Sequence, residues 1–179
     1  MKHKVIDNFL DEEYFDSLVT FFTETRSVGR KAAIPWYFNP NIVYRKGDKN
    51  YTEKVDKLIS LGHLLYGQNA PLSPYYDKVI PLLEKLEAVS LIRIKVNLFP
   101  NTEILHEHAM HTDYDFSHSN AILSLNTCDG YTKLKDGTKI DSVANRILLF
   151  DSSEEHCSTT TTNVPARINL NINYIQEQL

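Results

Sequence analysis

The chain has 179 residues, 42% of them hydrophobic and 23% charged, with a formal net charge of −4. That length suits one domain with a real core, and the mild negative charge argues against a broad nucleic-acid footprint, which needs a basic surface. No run approaches the roughly 20 apolar residues of a membrane span, and the opening Met1-Lys2-His3-Lys4 lacks the apolar stretch of a signal peptide, so the composition predicts a soluble, cytoplasmic protein.

The first third reads as helical. Asp11 is a candidate cap for a helix whose apolar positions Phe15, Leu18, Val19 and Phe22 follow the 3.6 period. Residues 26–50 differ in kind: Trp36, Tyr37, Tyr44, two prolines and several basic residues make a candidate lid or substrate-facing loop. A second helix is predicted over 52–66, with Val55, Leu58, Ile59 and Leu65 on one side. A third starts at Ser73-Pro74, carries Val79, Ile80, Leu83 and Leu86, and should kink or split at Pro81.

From residue 89 the period changes to two. In 90–99, Ile92, Ile94, Val96 and Leu98 alternate with Arg93, Lys95 and Asn97. Residues 120–126 form another predicted strand. The turn signals Asp129-Gly130 and Asp136-Gly137 mark a hairpin excursion over 128–142. Residues 146–151 read as a short buried strand. In 167–174, Ile168, Leu170, Ile172 and Tyr174 alternate with Arg167, Asn169, Asn171 and Asn173. Helices first and strands after predict an α+β fold, with helices packed on an antiparallel sheet or sandwich. The two cysteines, Cys128 and Cys157, are too few for a disulfide-built domain and read as reduced thiols. Cys157 is expected to point away from any ligand held by its neighbour His156.

Seven histidines are present, four of them between 106 and 118. Within this set the order His111-Thr112-Asp113, then His156, then Arg167 carries chemistry. Two imidazoles and a carboxylate on one face of a metal leave open positions opposite, which suits Fe(II) in oxygenases. Residues i and i+2 of a strand face the same side, so His111 and Asp113 are expected to reach one ion together. His156 follows the apolar strand 147–150 and would arrive from a neighbour. Arg167 offers a planar fork for a carboxylate, and Asn169 shares its face. Asn97, on the polar side of its strand, is a candidate second contact for that ligand or a plain solvent-facing residue.

His111-Thr112-Asp113…His156…Arg167-Ile168-Asn169 resembles the Fe(II)/2-oxoglutarate-dependent oxygenase superfamily, in its prolyl-hydroxylase-like branch. The run from Asn126 through Gly130-Tyr131-Thr132 to Asp136-Gly137-Thr138 is similar to small phage-encoded members, and Asn8-Phe9-Leu10-Asp11 before a helix fits the same branch. The resemblance implies a double-stranded β-helix (jelly roll) over 89–179, supported by N-terminal helices in 1–88, the whole forming a single oxygenase domain. It implies Fe(II) on His111, Asp113 and His156, and 2-oxoglutarate with its far carboxylate on Arg167. It also implies dioxygen as co-reactant, with release of succinate and CO2 and hydroxylation of a peptidyl, for example prolyl, or small-molecule substrate. Where many relatives carry Ser or Thr two residues after the arginine, this chain has Asn169.

Rival readings start from the same residues. His106-Glu107-His108 followed by Asp113 resembles a cupin metal motif, but the flanking glycines are missing and Arg167 is left without a role. His106 and His108 otherwise read as solvated or metal-supporting residues. His118 reads as facing solvent or substrate, and Tyr131 as an aromatic at the mouth or a packing residue. A jelly-roll binding module without activity would be expected to have lost a ligand or the arginine. A zinc hydrolase would use the same two His and one carboxylate.

Overall fold

The computed structural model describes residues 3–23, 34–42 and 58–176. The elements run β1 (His3–Ile6), α1 (Glu12–Thr23), β2 (Tyr37–Asn39), β3 (Ser60–Gly67), β4 (Ala70–Pro71), a 3-10 turn (Tyr76–Val79), α2 (Ile80–Lys85) and β5 (Ala88–Pro100). They continue with β6 (Ser119–Ser124), β7 (Tyr131–Leu134), β8 (Lys139–Asp141), β9 (Ile147–Asp151), β10 (His156–Ser158) and β11 (Ala166–Gln176). An eight-stranded sheet has the order β1-β9-β6-β11-β5-β3-β2, with β4 added on β3; a second sheet has the order β10-β7-β8. All the strand pairs are antiparallel.

Period-two patterning splits the large sheet into two chemically distinct faces. Ile94 and Val96 of β5, Ala121 and Leu123 of β6, Ile147 of β9, and Ile168, Leu170 and Ile172 of β11 enter one buried cluster. Phe15, Leu18 and Phe22 of α1 and Leu82 and Leu83 of α2 cover that face. On the opposite face Ile122, Leu148 and Phe150 pack against Leu134 and Ile140 of the small sheet. The rest of that face is polar: β11 pairs Arg167, Asn169, Asn171 and Asn173 with Phe99, Asn97, Lys95 and Arg93 of β5.

The first helix forms as expected. Tyr14 N–H donates to Asp11 Oδ1 at 2.9 Å, so Asp11 caps it. The third divides as Pro81 requires, into the 3-10 turn and α2, with the proline in the first turn of α2. The second is a correction. Residues 52–57 lie outside the described residues, and 60–66, expected to continue that helix, belong to strand β3 beside β5. Leu61, Leu64 and Leu65 suit either period, but a helix over this stretch would carry Gly62 in its interior at a cost of about 1 kcal/mol relative to Ala. Gln68 and Asn69 both take positive φ, 54° and 60°, and close the β3–β4 hairpin. The N-terminal third is therefore less helical than the sequence predicts. Of the expected lid, residues 26–33 and 43–50 lie outside the described residues. Among the described residues, no helix is long and apolar enough to cross a membrane.

Candidate metal centre and cosubstrate cavity

His111 and His156 are brought together by backbone pairing. His111 N–H donates to His156 O at 3.0 Å and His156 N–H to His111 O at 2.9 Å, an isolated antiparallel bridge. Their ring centroids lie 4.7 Å apart. Asp113 follows two residues on, and the candidate ligand atoms of His111, Asp113 and His156 all lie within 4.8 Å of one another. The expected regular strand under His111 and Asp113 is absent: beyond the single bridge to β10 the segment is irregular. The bridge, with β10 aligned by β7, does the positioning instead.

The rings are oriented alike. His111 Nδ1 lies 3.1 Å from Ala109 O, and His156 Nδ1 lies 3.2 Å from Glu154 O. A carbonyl only accepts, so each Nδ1 carries the proton and each Nε2 keeps a free lone pair for a cation. Asp113 is held at both oxygens. Arg93 Nη2 lies 2.9 Å from Oδ1, and Asn120 and Asn171 donate to Oδ2 at 2.9 and 3.3 Å. A carboxylate has about four lone-pair sites, which leaves room for a metal. Burial alone would raise the Asp113 pKa, but Arg93 and the two imidazoles outweigh it and hold the carboxyl well below its ordinary value. Burial, helped by the nearby His111, lowers His156 to about 4. Sequence reasoning identified the three candidate ligands but missed Arg93, Asn120 and Asn171, which come from three separate strands and give no local signal.

A cavity of about 500 Å³ opens on this cluster, and Arg93, Lys95, Asn97, Phe99, His108 and Asn169 are among its lining residues. Arg167 lies just behind the wall, 1% exposed. Its Nη2 donates to Thr132 Oγ1 at 2.9 Å and its Nη1 to Thr159 O at 3.4 Å, while the buried Nε has no partner. Its guanidinium lies 5.8 Å from the Phe99 ring centroid, and no acid pairs with it among the described residues. Burial lowers its pKa to about 10. A fully buried cation without a counter-charge is costly, and a ligand carboxylate would relieve that cost. Asn97 Nδ2 donates to Asn169 Oδ1 at 3.1 Å, so the two candidate cosubstrate residues support each other on adjacent strands.

The remaining candidates separate. His108 lines the cavity, its Nδ1 3.2 Å from Ser158 Oγ and its buried Nε2 unpartnered; burial, then the Arg167 charge, lowers it to about 3. His118, expected to face solvent or substrate, is buried, with Nε2 2.8 Å from Asn173 Oδ1 and Nδ1 2.8 Å from Phe116 O. The cupin-like set does not assemble, because Glu107 turns to Tyr131 Oη (2.6 Å) and Lys133 Nζ (2.8 Å). That contact also commits Tyr131, which packs under Lys139 as well. Cys128 and Cys157 are buried and free.

No protein-family model matches the sequence, and no curated protein matches it. Solved structures do match. A Pseudomonas putida prolyl-4-hydroxylase is 14% identical, with a TM-score of 0.61 over 98% of this chain and 93% of its own. A prolyl hydroxylase from Trichoplax adhaerens, in complex with a hypoxia-inducible-factor peptide fragment, is 15% identical, with a TM-score of 0.61 over 97% of this chain and 83% of its own. An oxidoreductase of the 2OG-Fe(II) oxygenase family from Burkholderia pseudomallei is 10% identical, with a TM-score of 0.65 over 98% of this chain and 86% of its own. The chain shares the fold of these oxygenases.

Proposed function

We propose that the chain is a single-domain Fe(II)- and 2-oxoglutarate-dependent dioxygenase that hydroxylates a C–H bond of a peptidyl or small-molecule substrate, releasing succinate and CO2. The observation that carries this reading is a pairing. Two histidines with lone pairs directed by backbone bonds share a cluster with Asp113, and a buried arginine without an acid lies behind the same cavity. A zinc hydrolase needs the first half and leaves the second without purpose.

His111, Asp113 and His156 would hold the iron, which would supply the oxidation chemistry. Arg167, with Thr132 beside it, would bind the far carboxylate of 2-oxoglutarate, and the Asn97–Asn169 pair would border its chain. Arg93, Asn120 and Asn171 orient Asp113, as groups behind a metal ligand commonly do. A peptide substrate is favoured by the Trichoplax neighbour, whose structure contains one.

The test is an anaerobic titration of the metal-free protein with Fe(II) and then 2-oxoglutarate, followed by visible absorbance. A charge-transfer band is expected only with both additions. In Arg167→Met the cosubstrate affinity should fall at least about tenfold, the scale of one lost charge-assisted pair, with iron affinity unchanged. Absence of the band in folded wild-type protein would refute the reading, and metal analysis would then separate a zinc enzyme from a binding module.

A further inference from the structure

Two cations face the cavity away from Arg167. The polar face of β5 presents Phe99, Asn97, Lys95 and Arg93 in turn. Phe99 sits with Arg167 at one end, and Lys95 lies four residues along, about 13 Å by strand rise. Asn171, opposite Lys95 in register, donates to Asp113, so Lys95 stands level with the metal cluster.

Neither cation is fully satisfied. Lys95 has no hydrogen-bond or ion-pair partner among the described residues. Burial and the neighbouring Arg93 charge both lower its pKa, while the more weakly acting Asp113 raises it. Gly62 on β3 makes room for it: a Cβ there would lie 2.5 Å from Lys95 Cε and 3.2 Å from Nζ. Arg93 gives Nη2 to Asp113 and packs against the Tyr114 ring at 5.4 Å, while its buried Nε has no partner. Among the described residues lining the cavity, Asp113 is the sole acid. With Fe(II) against Asp113, and 2-oxoglutarate with its two negative charges against Fe(II) and Arg167, the Arg93 and Lys95 side of the cavity keeps excess positive charge. Lys95 is half-buried, and a concave low-dielectric wall concentrates the field of its ammonium and of the Arg93 guanidinium.

We propose that Lys95, backed by Arg93, forms an anion subsite that holds a carboxylate of the substrate beside the metal centre. This rests on the oxygenase reading and narrows its substrate to acids: a free amino acid or small organic acid, or a peptide with an acidic residue or free C-terminus next to the oxidised carbon. The Lys95 ammonium supplies a rotatable point charge, and the substrate carboxylate fixes which C–H faces the iron.

The experiment uses the full chain with Fe(II) and 2-oxoglutarate, anaerobically. Probes are the free L-amino acids against their carboxamides, and short Asp- or Glu-containing peptides against their Asn or Gln counterparts. Perturbation of the charge-transfer band gives each affinity. At least one acid is expected to bind about tenfold or more tighter than its amide, the scale of one charge-assisted bond. Whether free acids or peptides do so identifies the source of the carboxylate. Lys95→Gln should abolish the discrimination and Lys95→Arg should retain it, with 2-oxoglutarate affinity within about twofold of wild type in both, well under the tenfold step of a lost charged contact. Acids and amides binding alike, or no probe binding while the wild-type band is present, would overturn the proposal and leave the oxygenase reading standing. So would a Lys95→Gln variant that loses 2-oxoglutarate affinity, since Lys95 would then be a cosubstrate contact. Absence of the band in wild type would instead strike the oxygenase reading itself.

Discussion

A Cβ at position 130 would lie 2.6 Å from Thr160 O, 2.7 Å from Arg167 Cδ and 3.0 Å from Thr159 Oγ1. Two of these neighbours cannot yield easily, since one is backbone and the other belongs to a buried arginine with no space to swing. Gly130 is therefore a condition for the Arg167 geometry. Gly130→Ala should push the guanidinium off Thr132 and weaken 2-oxoglutarate binding about tenfold, the size of one charged contact. Overpacking should also destabilise the fold by about 1–3 kcal/mol. Fe(II) affinity should hold, because the three candidate ligands His111, Asp113 and His156 are supported by other residues. Titrating iron and cosubstrate separately checks this, and equal losses of both would disprove a role confined to Arg167. Sequence reasoning saw Gly130 as a turn signal and as part of a family-like run, not as a packing constraint; the close approach that requires glycine comes from Thr159, Thr160 and Arg167, about thirty to forty positions away.

At the scale of elements, one side chain ties the N-terminal segment to the sheet. Asn145, between β8 and β9, accepts from Leu10 N–H at 2.9 Å and donates to Leu10 O at 2.8 Å, while its own carbonyl accepts from Phe9 N–H at 3.0 Å. It sits at φ 60°, a left-handed position that asparagine tolerates and most residues resist. Asn145→Ala removes both side-chain bonds at a buried site and should cost about 2–4 kcal/mol, from two lost bonds plus backbone strain. Denaturant unfolding measures it, and a loss under about 0.5 kcal/mol, the scale of a neutral surface change, would refute the tie. Elements of this kind were poorly legible in the sequence, because the link joins residues 10 and 145. The long strands were legible, since β5 alternates from Ile94 to Leu98 and β11 from Ile168 to Ile172 with one face of each under helices; a bulge pairs Tyr174 with Leu91 and takes Ile92 out of the expected alternation. The excursion formed by β7 and β8 was legible too, from its Asp-Gly turn. β3 was not, because its leucines fit both periods and its turn is Gln68-Asn69 in place of the usual glycine-containing pair. The His111–His156 bridge was hidden for a related reason: two paired residues carry no periodicity.

Across the whole molecule the large sheet separates two demands. One face supplies apolar burial against α1 and α2, and the other collects polar side chains in a cavity, paid for by that burial. The cost of this arrangement is visible in acid. Burial, then the Arg167 charge, lowers His108 to about 3, and burial with His111 lowers His156 to about 4, against the ordinary value of 6.5. Below about pH 6.5 the unfolded chain therefore takes up protons on these rings that the folded chain refuses, so the unfolded state binds more protons and stability falls with pH. The loss continues until the folded rings titrate near pH 4 and 3. Between pH 7 and pH 5 each ring should remove about 2 kcal/mol from the metal-free protein. Asp113 contributes almost no slope there, because its ordinary value of 3.8 already lies below pH 5 and its folded value is lower still. Urea unfolding of chelator-treated protein at pH 7, 6 and 5 measures the effect. His108→Phe, which keeps a ring and removes the titrating group, should flatten the profile by about half; a wild-type profile flat across this range would mean that the two imidazoles are not buried as neutral rings.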